Sequence, residues 1–142
     1  MAGKALDFFL RLLDLRKNRS ALLANRARAD LERAQTFETR LNEYHHEYQK
    51  AWVDSATSGG TADELYAKAA FVSRLRETVA AQQPEVAAAT ERFQRASGRV
   101  TADALRADTL RKYLTARREA RRVARERREE REANDRGGYR PR

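Results

Sequence analysis

The stretch Ser55-Ala56-Thr57-Ser58-Gly59-Gly60-Thr61 decides how this 142-residue chain folds. Small residues around two adjacent glycines have no place in a helix interior, so a helix arriving from the N-terminal side stops here. Thr61-Ala62-Asp63-Glu64 then reads as a capping box, in which the Thr61 hydroxyl accepts from the Glu64 amide while the Glu64 side chain reaches back to the Thr61 amide. Asp63 and Glu64 also suit the positive end of a new helix. Residues 55–61 therefore form a turn between two helices.

Outward from the turn, both flanks repeat with the same period. On the C-terminal side Leu65, Val72, Val79, Val86, Phe93, Val100, Ala107 and Leu114 stand seven apart. On the N-terminal side the series is Leu6, Leu13, Ser20, Ala27, Ala34, Leu41 and Tyr48, with Ser20 the polar member. A sustained seven-residue apolar period in so charged a chain marks a helix whose narrow stripe lies against another helix. Phe9 and Leu10, Leu23 and Ala24, Phe37, Tyr44, Ala51 and Trp52 widen the first seam. The second seam is thinner: Leu75, Ala89, Ala96 and Leu110 alternate with Lys68, Gln82 and Asp103.

The expected architecture is all-α, a long two-helix antiparallel coiled-coil hairpin over 1–142, with helix one at 3–54, helix two at 62–135 and a loose tail at 136–142. At about 1.5 Å per residue the helices are roughly 78 Å and roughly 110 Å long, so the second overhangs the first. Folding back around Gly59 sets Leu41 near Leu75 and Leu6 near Leu110, and the period in helix two stops at Leu114, about where helix one runs out. Pro84 lacks an amide proton and opposes a smooth second helix, but Val79 and Val86 stay in phase across it, which favours a kink over a fresh helix start at Pro84. Gly98 is a smaller penalty of about 1 kcal/mol.

Composition narrows the function classes. With 36% charged residues, two prolines and no cysteine, the chain is one elongated unit without a compact core, disulfides or thiol chemistry, and fits a reducing compartment. Asp7, Arg11 and Asp14 interrupt any N-terminal apolar run, so neither an export signal nor a membrane span is expected. His45 and His46 are neighbours pointing about 100° apart on a helix, which rules out shared metal chelation and leaves His45 a structural role beside the seam. Gly59-Gly60 lacks the Gly-Lys-Ser/Thr of a phosphate loop, and a two-helix rod has hardly any pocket. No enzyme activity, metal or cofactor is expected.

The net charge of +9 is uneven: residues 115–142 hold eleven arginines against six acidic residues. One reading is a solvated helix laced with ion pairs such as Arg122 with Glu126 and Arg125 with Glu129. The sharper reading is a basic tip, with Arg117, Arg118, Arg121, Arg122 and Arg125, that docks on an acidic protein surface. Nucleic acid is a third, since arginine-rich helices neutralise phosphates. Interleaved acids and the lack of a base-reading set count against it.

Tyr44, Tyr48 and Trp52 before the turn and Tyr66 and Phe71 after it are too many large rings for two helices to bury, so some face solvent or a partner. Leu41-Asn-Glu-Tyr44-His-His-Glu-Tyr48, a small-residue turn containing Gly60, then Tyr66 and Phe71-Val-Ser-Arg-Leu75, with Leu110, Tyr113 and Leu114 on the charged terminal helix, resemble the flagellar export protein FliJ family. The resemblance covers nearly the whole chain, and related type III secretion stalk proteins share the layout. Phe37, Thr78 and Gln82 depart from the family's pattern.

The resemblance implies a non-enzymatic component of a bacterial export apparatus, cytoplasmic and peripheral at the inner face of the cell membrane. Its partners would be the hexameric export ATPase at the end holding both termini, the membrane export gate, and export chaperones, with the membrane reached only through partners. The gate-facing positions would be Leu41, Tyr44, Tyr48, Phe71 and Leu75, and the tail arginines would meet the ATPase. The readings set against this one are a basic nucleic-acid-binding coiled coil and a general coiled-coil scaffold. Thin seam positions such as Ser20, Ala24, Ala27, Ala89 and Ala96 contribute less than the roughly 1.5–3 kcal/mol of a buried Leu or Val, so the free rod is expected to be marginally stable.

Overall fold

The computed structural model describes residues 2–138. It is an all-α two-helix hairpin: α1 (Ala2–Thr57) and α2 (Ala62–Gly138) pack against each other, and the described residues contain no strand. α1 runs on past the expected end at Asp54. The Ser58 amide donates to the Asp54 carbonyl (3.0 Å), the Ser58 hydroxyl donates to the same oxygen (2.7 Å), and the Gly60 amide reaches back to the Ser55 carbonyl (3.2 Å). This last bond, with Gly59 at φ 84°, is a Schellman cap, in which a left-handed residue lets the final carbonyls find donors. Glycine is required at position 59 for that backbone conformation.

α2 starts at the predicted cap. The Glu64 amide donates to the Thr61 hydroxyl (3.3 Å) and the Leu65 amide to the Thr61 carbonyl (3.0 Å). The reciprocal bond from the Thr61 amide to the Glu64 carboxylate does not appear among the described residues. α2 then passes through Pro84 without a break. Pro84 and Ala80 are both exposed, so water can reach the carbonyl that loses its helical donor. α2 also continues to Gly138, through residues assigned by sequence to the loose tail. The rest of that tail, residues 139–142, lies outside the described residues.

Burial follows the predicted period. On α2, Val72, Ala107 and Leu114 are buried and Leu65, Val79, Val86, Phe93 and Val100 half-buried, while Ala89 and Asp103 are the buried members of the thinner companion line. On α1 the first line holds as far as Leu41, and Tyr48 is exposed. The companion line on α1 differs from expectation. It is Leu10, Lys17, Ala24, Leu31, Glu38, His45 and Trp52, whereas Phe9, Leu23, Phe37, Tyr44 and Ala51, one residue earlier in each heptad, are exposed. A two-helix seam has room for two lines of side chains, so a third line finds no opposite surface.

The chain divides into two units: one combines the residues up to Arg19 with those from Thr101 onward, and the other runs from Ser20 to Val100. In the second unit the arms are joined by polar bonds, two of them onto backbone. The Trp52 indole N–H donates to the Leu65 carbonyl (3.2 Å), the Gln82 amide to the Ala34 carbonyl (3.3 Å), and Lys68 to the Ser55 hydroxyl (2.7 Å). Phe93 lies under the Arg28 guanidinium at 5.5 Å. Gln82, expected only to thin the seam, thus carries a bond across it.

The terminal unit is held differently. Arg111 bonds Asp14 (2.8 Å) and Arg118 bonds Asp7 (2.8 Å), steps of seven on both helices. Buried Asp103 lies between Arg16 (3.6 Å) and Arg106 (3.3 Å). The register here departs from the expected pairing of Leu6 with Leu110. Leu110 shares a groove with Phe9 and Leu13, and Leu114 sits beside Gly3 and Asp7.

Candidate docking surfaces

Two surfaces stand out once the seam is accounted for, one in each unit. Near the turn, Tyr44 (52%), Tyr48 (47%) and Phe71 (43%) keep about half their surface in water, and Tyr48 and Phe71 meet edge to face with ring centres 4.9 Å apart. The contact fixes both rings across the arms, because an edge-to-face pair has a preferred geometry. Tyr48, Ala51, Phe71 and Val72 line a shallow apolar hollow with the stem of Lys68. Leu41 is buried in the seam and Leu75 half-buried, so of the five positions assigned to the gate-facing patch, Tyr44, Tyr48 and Phe71 present side chains and the two leucines do not. Tyr66, 80% exposed, stands apart from the ring pair, while Trp52 is committed to its bond with Leu65.

His45 is half-buried on the companion line, and its Nε2 is buried without a hydrogen-bond partner. Among the described residues no group of three or more His, Asp or Glu is placed to hold a metal ion. No helix is long and apolar enough to cross a membrane.

The surface in the terminal unit was missed by sequence reasoning. Phe8, Phe9, Leu12 and Leu15 are all 46–64% exposed, although α1 already turns Leu6, Leu10 and Leu13 toward the seam. A helix that is apolar on the face opposite its seam as well as along it has more apolar surface than one partner helix can cover. Alongside, Phe9 and Leu13 from α1 and Leu105, Leu110 and Tyr113 from α2 line a groove of about 560 Å³, bounded by Arg106. A signal was present: Phe8 and Leu15 repeat at the seam's own period on the reverse face of the helix.

The tail arginines separate into two groups. Arg118 is bonded to Asp7, and Arg122 to both Glu119 and Glu126. The expected pair of Arg122 with Glu126 is therefore present. Hydrogen bonding and charge from Arg122 hold the Glu119 carboxyl below its ordinary value, and the same pairing, Glu119 first and Glu126 second, raises the Arg122 guanidinium. Arg117, Arg121 and Arg125 have no ion-pair partner among the described residues, so the expected pairing of Arg125 with Glu129 is not made.

A hairpin with aromatic rings set across its arms beside the turn, and a charged terminal helix, is what the resemblance implies. Residues 2–136 match the family described as Flagellar FliJ protein. The chain belongs to the FliJ family. That membership makes the chain a component of the flagellar and type III protein export machinery. Neither the curated proteins nor the solved structures give a match.

Proposed function

We propose that this FliJ-family chain couples the export ATPase to the membrane export gate, at the cytoplasmic side of the membrane, and serves export chaperones as a further partner. The observation that carries the reading is that each unit holds a cluster of large exposed apolar side chains, although Leu22, Leu23, Phe37, Val53 and Tyr66 are exposed outside the cluster near the turn. A monomer that lived alone in water would not keep Phe8, Leu12 and Leu15 in one unit and Tyr44, Tyr48 and Phe71 in the other so accessible. Aromatic anchors of this kind dominate binding energy when a partner seals them from water.

In this reading the Tyr44–Tyr48–Phe71 face receives the gate, and the terminal unit enters the ATPase, with the apolar face of α1 taking the packing and Arg117, Arg121 and Arg125 taking the charge. Arg118 and Arg122, already engaged within the chain, orient their neighbours.

Binding of the full chain to the isolated ATPase and to the cytoplasmic part of the gate tests this. Tyr44→Ala with Tyr48→Ala should weaken gate binding by roughly thirtyfold or more and leave ATPase binding intact. Phe8→Ser with Leu15→Ser should do the reverse. If both variants impair both partners equally, or neither impairs either, the assignment of surfaces fails.

A further inference from the structure

In the terminal unit a ladder of charge pairs stops one rung short. Arg111 takes Asp14 and Arg118 takes Asp7, seven residues apart on each helix and running in opposite directions. The next arginine in the series is Arg125, and among the described residues it has no carboxylate. The seam itself ends in the same way. Ala107 and Leu114 are buried against α1 at 0% and 5% exposure, and the next two positions of that period are Arg121 and Arg128. The Arg121 guanidinium lies against Gly3, 3.9 Å from where a side chain there would begin, which places it on the α1-facing side.

The charges on this stretch are also sorted. At 100° per residue Glu119, Glu126 and Glu130 fall on the side away from the seam, where Arg122 neutralises the first two. Glu129 falls between that side and the seam side, about 40° from Arg125, and makes no ion pair with it among the described residues. The face that continues the seam thus keeps Arg121, Arg125 and Arg128 uncompensated, until Glu132 takes the next place in the series.

We infer that the seam-side face of α2 from Arg121 to Arg128 is a docking strip for an acidic α-helix of a protein partner, lying along α2 as α1 does further back and supplying the carboxylate for Arg125. It rests on the reading that this unit docks in a protein. Charge complementarity selects the occupant. A second copy would set arginine against arginine, and like charges at seam positions prevent such pairing. A nucleic acid would meet a strip without aromatic or amide side chains to stack on or read bases, and with carboxylates on its reverse. A helix bearing carboxylates at seven-residue steps repeats a geometry the molecule already makes twice, and Ala124, between the arginines, lets its backbone approach.

The test uses the full chain and a synthetic helical peptide with a carboxylate at every seventh position, measured by fluorescence anisotropy at low salt against the same peptide with glutamines. The acidic peptide should bind, the glutamine peptide should not, and the affinity should fall as salt rises. Arg125→Glu should weaken binding by about three- to tenfold, and a peptide with one carboxylate replaced by arginine should recover it on that variant alone. Arg127→Glu, off the strip, should change little. Equal binding of both peptides, no recovery in the swap, tighter binding of duplex RNA, or self-association through the tail would each overturn the inference. The variant is then assayed on the ATPase: peptide binding lost but ATPase binding kept upholds the strip and contradicts its place in the ATPase, whereas ATPase binding by the wild type with no peptide binding rejects the strip alone.

Discussion

The two units solve the same problem, joining two helices over a thin seam, by different chemistry. Between Ser20 and Val100 the arms are joined by side-chain donors on backbone carbonyls, by Trp52 on Leu65 and Gln82 on Ala34, and by rings locked across the seam. In the terminal unit the ties are ionic, Asp7 with Arg118, Asp14 with Arg111, and Asp103 with Arg16. Bonds to neutral carbonyls keep their strength in salt, whereas exposed ion pairs are screened and contribute about 0–1 kcal/mol each. The difference teaches that the unit beside the turn is built to stay formed and that the terminal unit, with its exposed apolar face, is completed by what it binds.

The comparison can be broken most severely at the seam. Leu41→Ala and Leu114→Ala each delete a buried leucine and should cost about 2–3 kcal/mol. Amide hydrogen exchange should show the first loss within residues 20–100 and the second within the terminal unit; a uniform loss from either variant would make the division meaningless. A smaller effect comes from Trp52→Phe, which keeps an aromatic ring, though a smaller one, and removes the donor to Leu65, for about 1 kcal/mol at any ionic strength. Strong salt dependence of that loss would show that the bond is not what ties the turn.

The smallest expected effect is one of pH. Because Arg122 holds the Glu119 carboxyl below its ordinary value of 4.5 in the folded chain, the pair stabilises the overhang above that pH and the contribution is lost as pH falls through the lowered value. Helicity at residues 119–126, read by NMR, should decline on acidification in the wild type and respond less in Glu119→Gln. An identical acid response in both would remove the pair from the account.

Much of this was legible in the chain. Two series with a seven-residue period on either side of Gly59-Gly60 specify the hairpin, because period and turn are both local properties. Where adjacent apolar side chains compete, sequence does not rank them: Leu10 and Phe9, Ala24 and Leu23, Trp52 and Ala51 are adjacent pairs, and the geometry of the partner helix selects the inner member, even the smaller one at Ala24. The patch near the turn could be named, but not that Leu41 would present no side chain to it. The exposed Phe8 and Leu15 were overlooked because an apolar residue in an amphipathic helix is read as core by default. The shift that sets Leu114 rather than Leu110 beside Asp7 depends on the packing of long side chains over many turns, which a count from the turn does not capture.

The fold-back carries every surface described above, and one distance tests it. The chain has no cysteine, so Arg40→Cys and Arg76→Cys, both at exposed positions, give two clean sites for spin labels. Packed helices lie about 8–10 Å apart. Pulsed electron resonance should therefore report a label separation on the order of 20 Å, with the label arms included. A separation of roughly 50 Å, the span of 36 residues in one unbroken helix, would mean that the arms never meet.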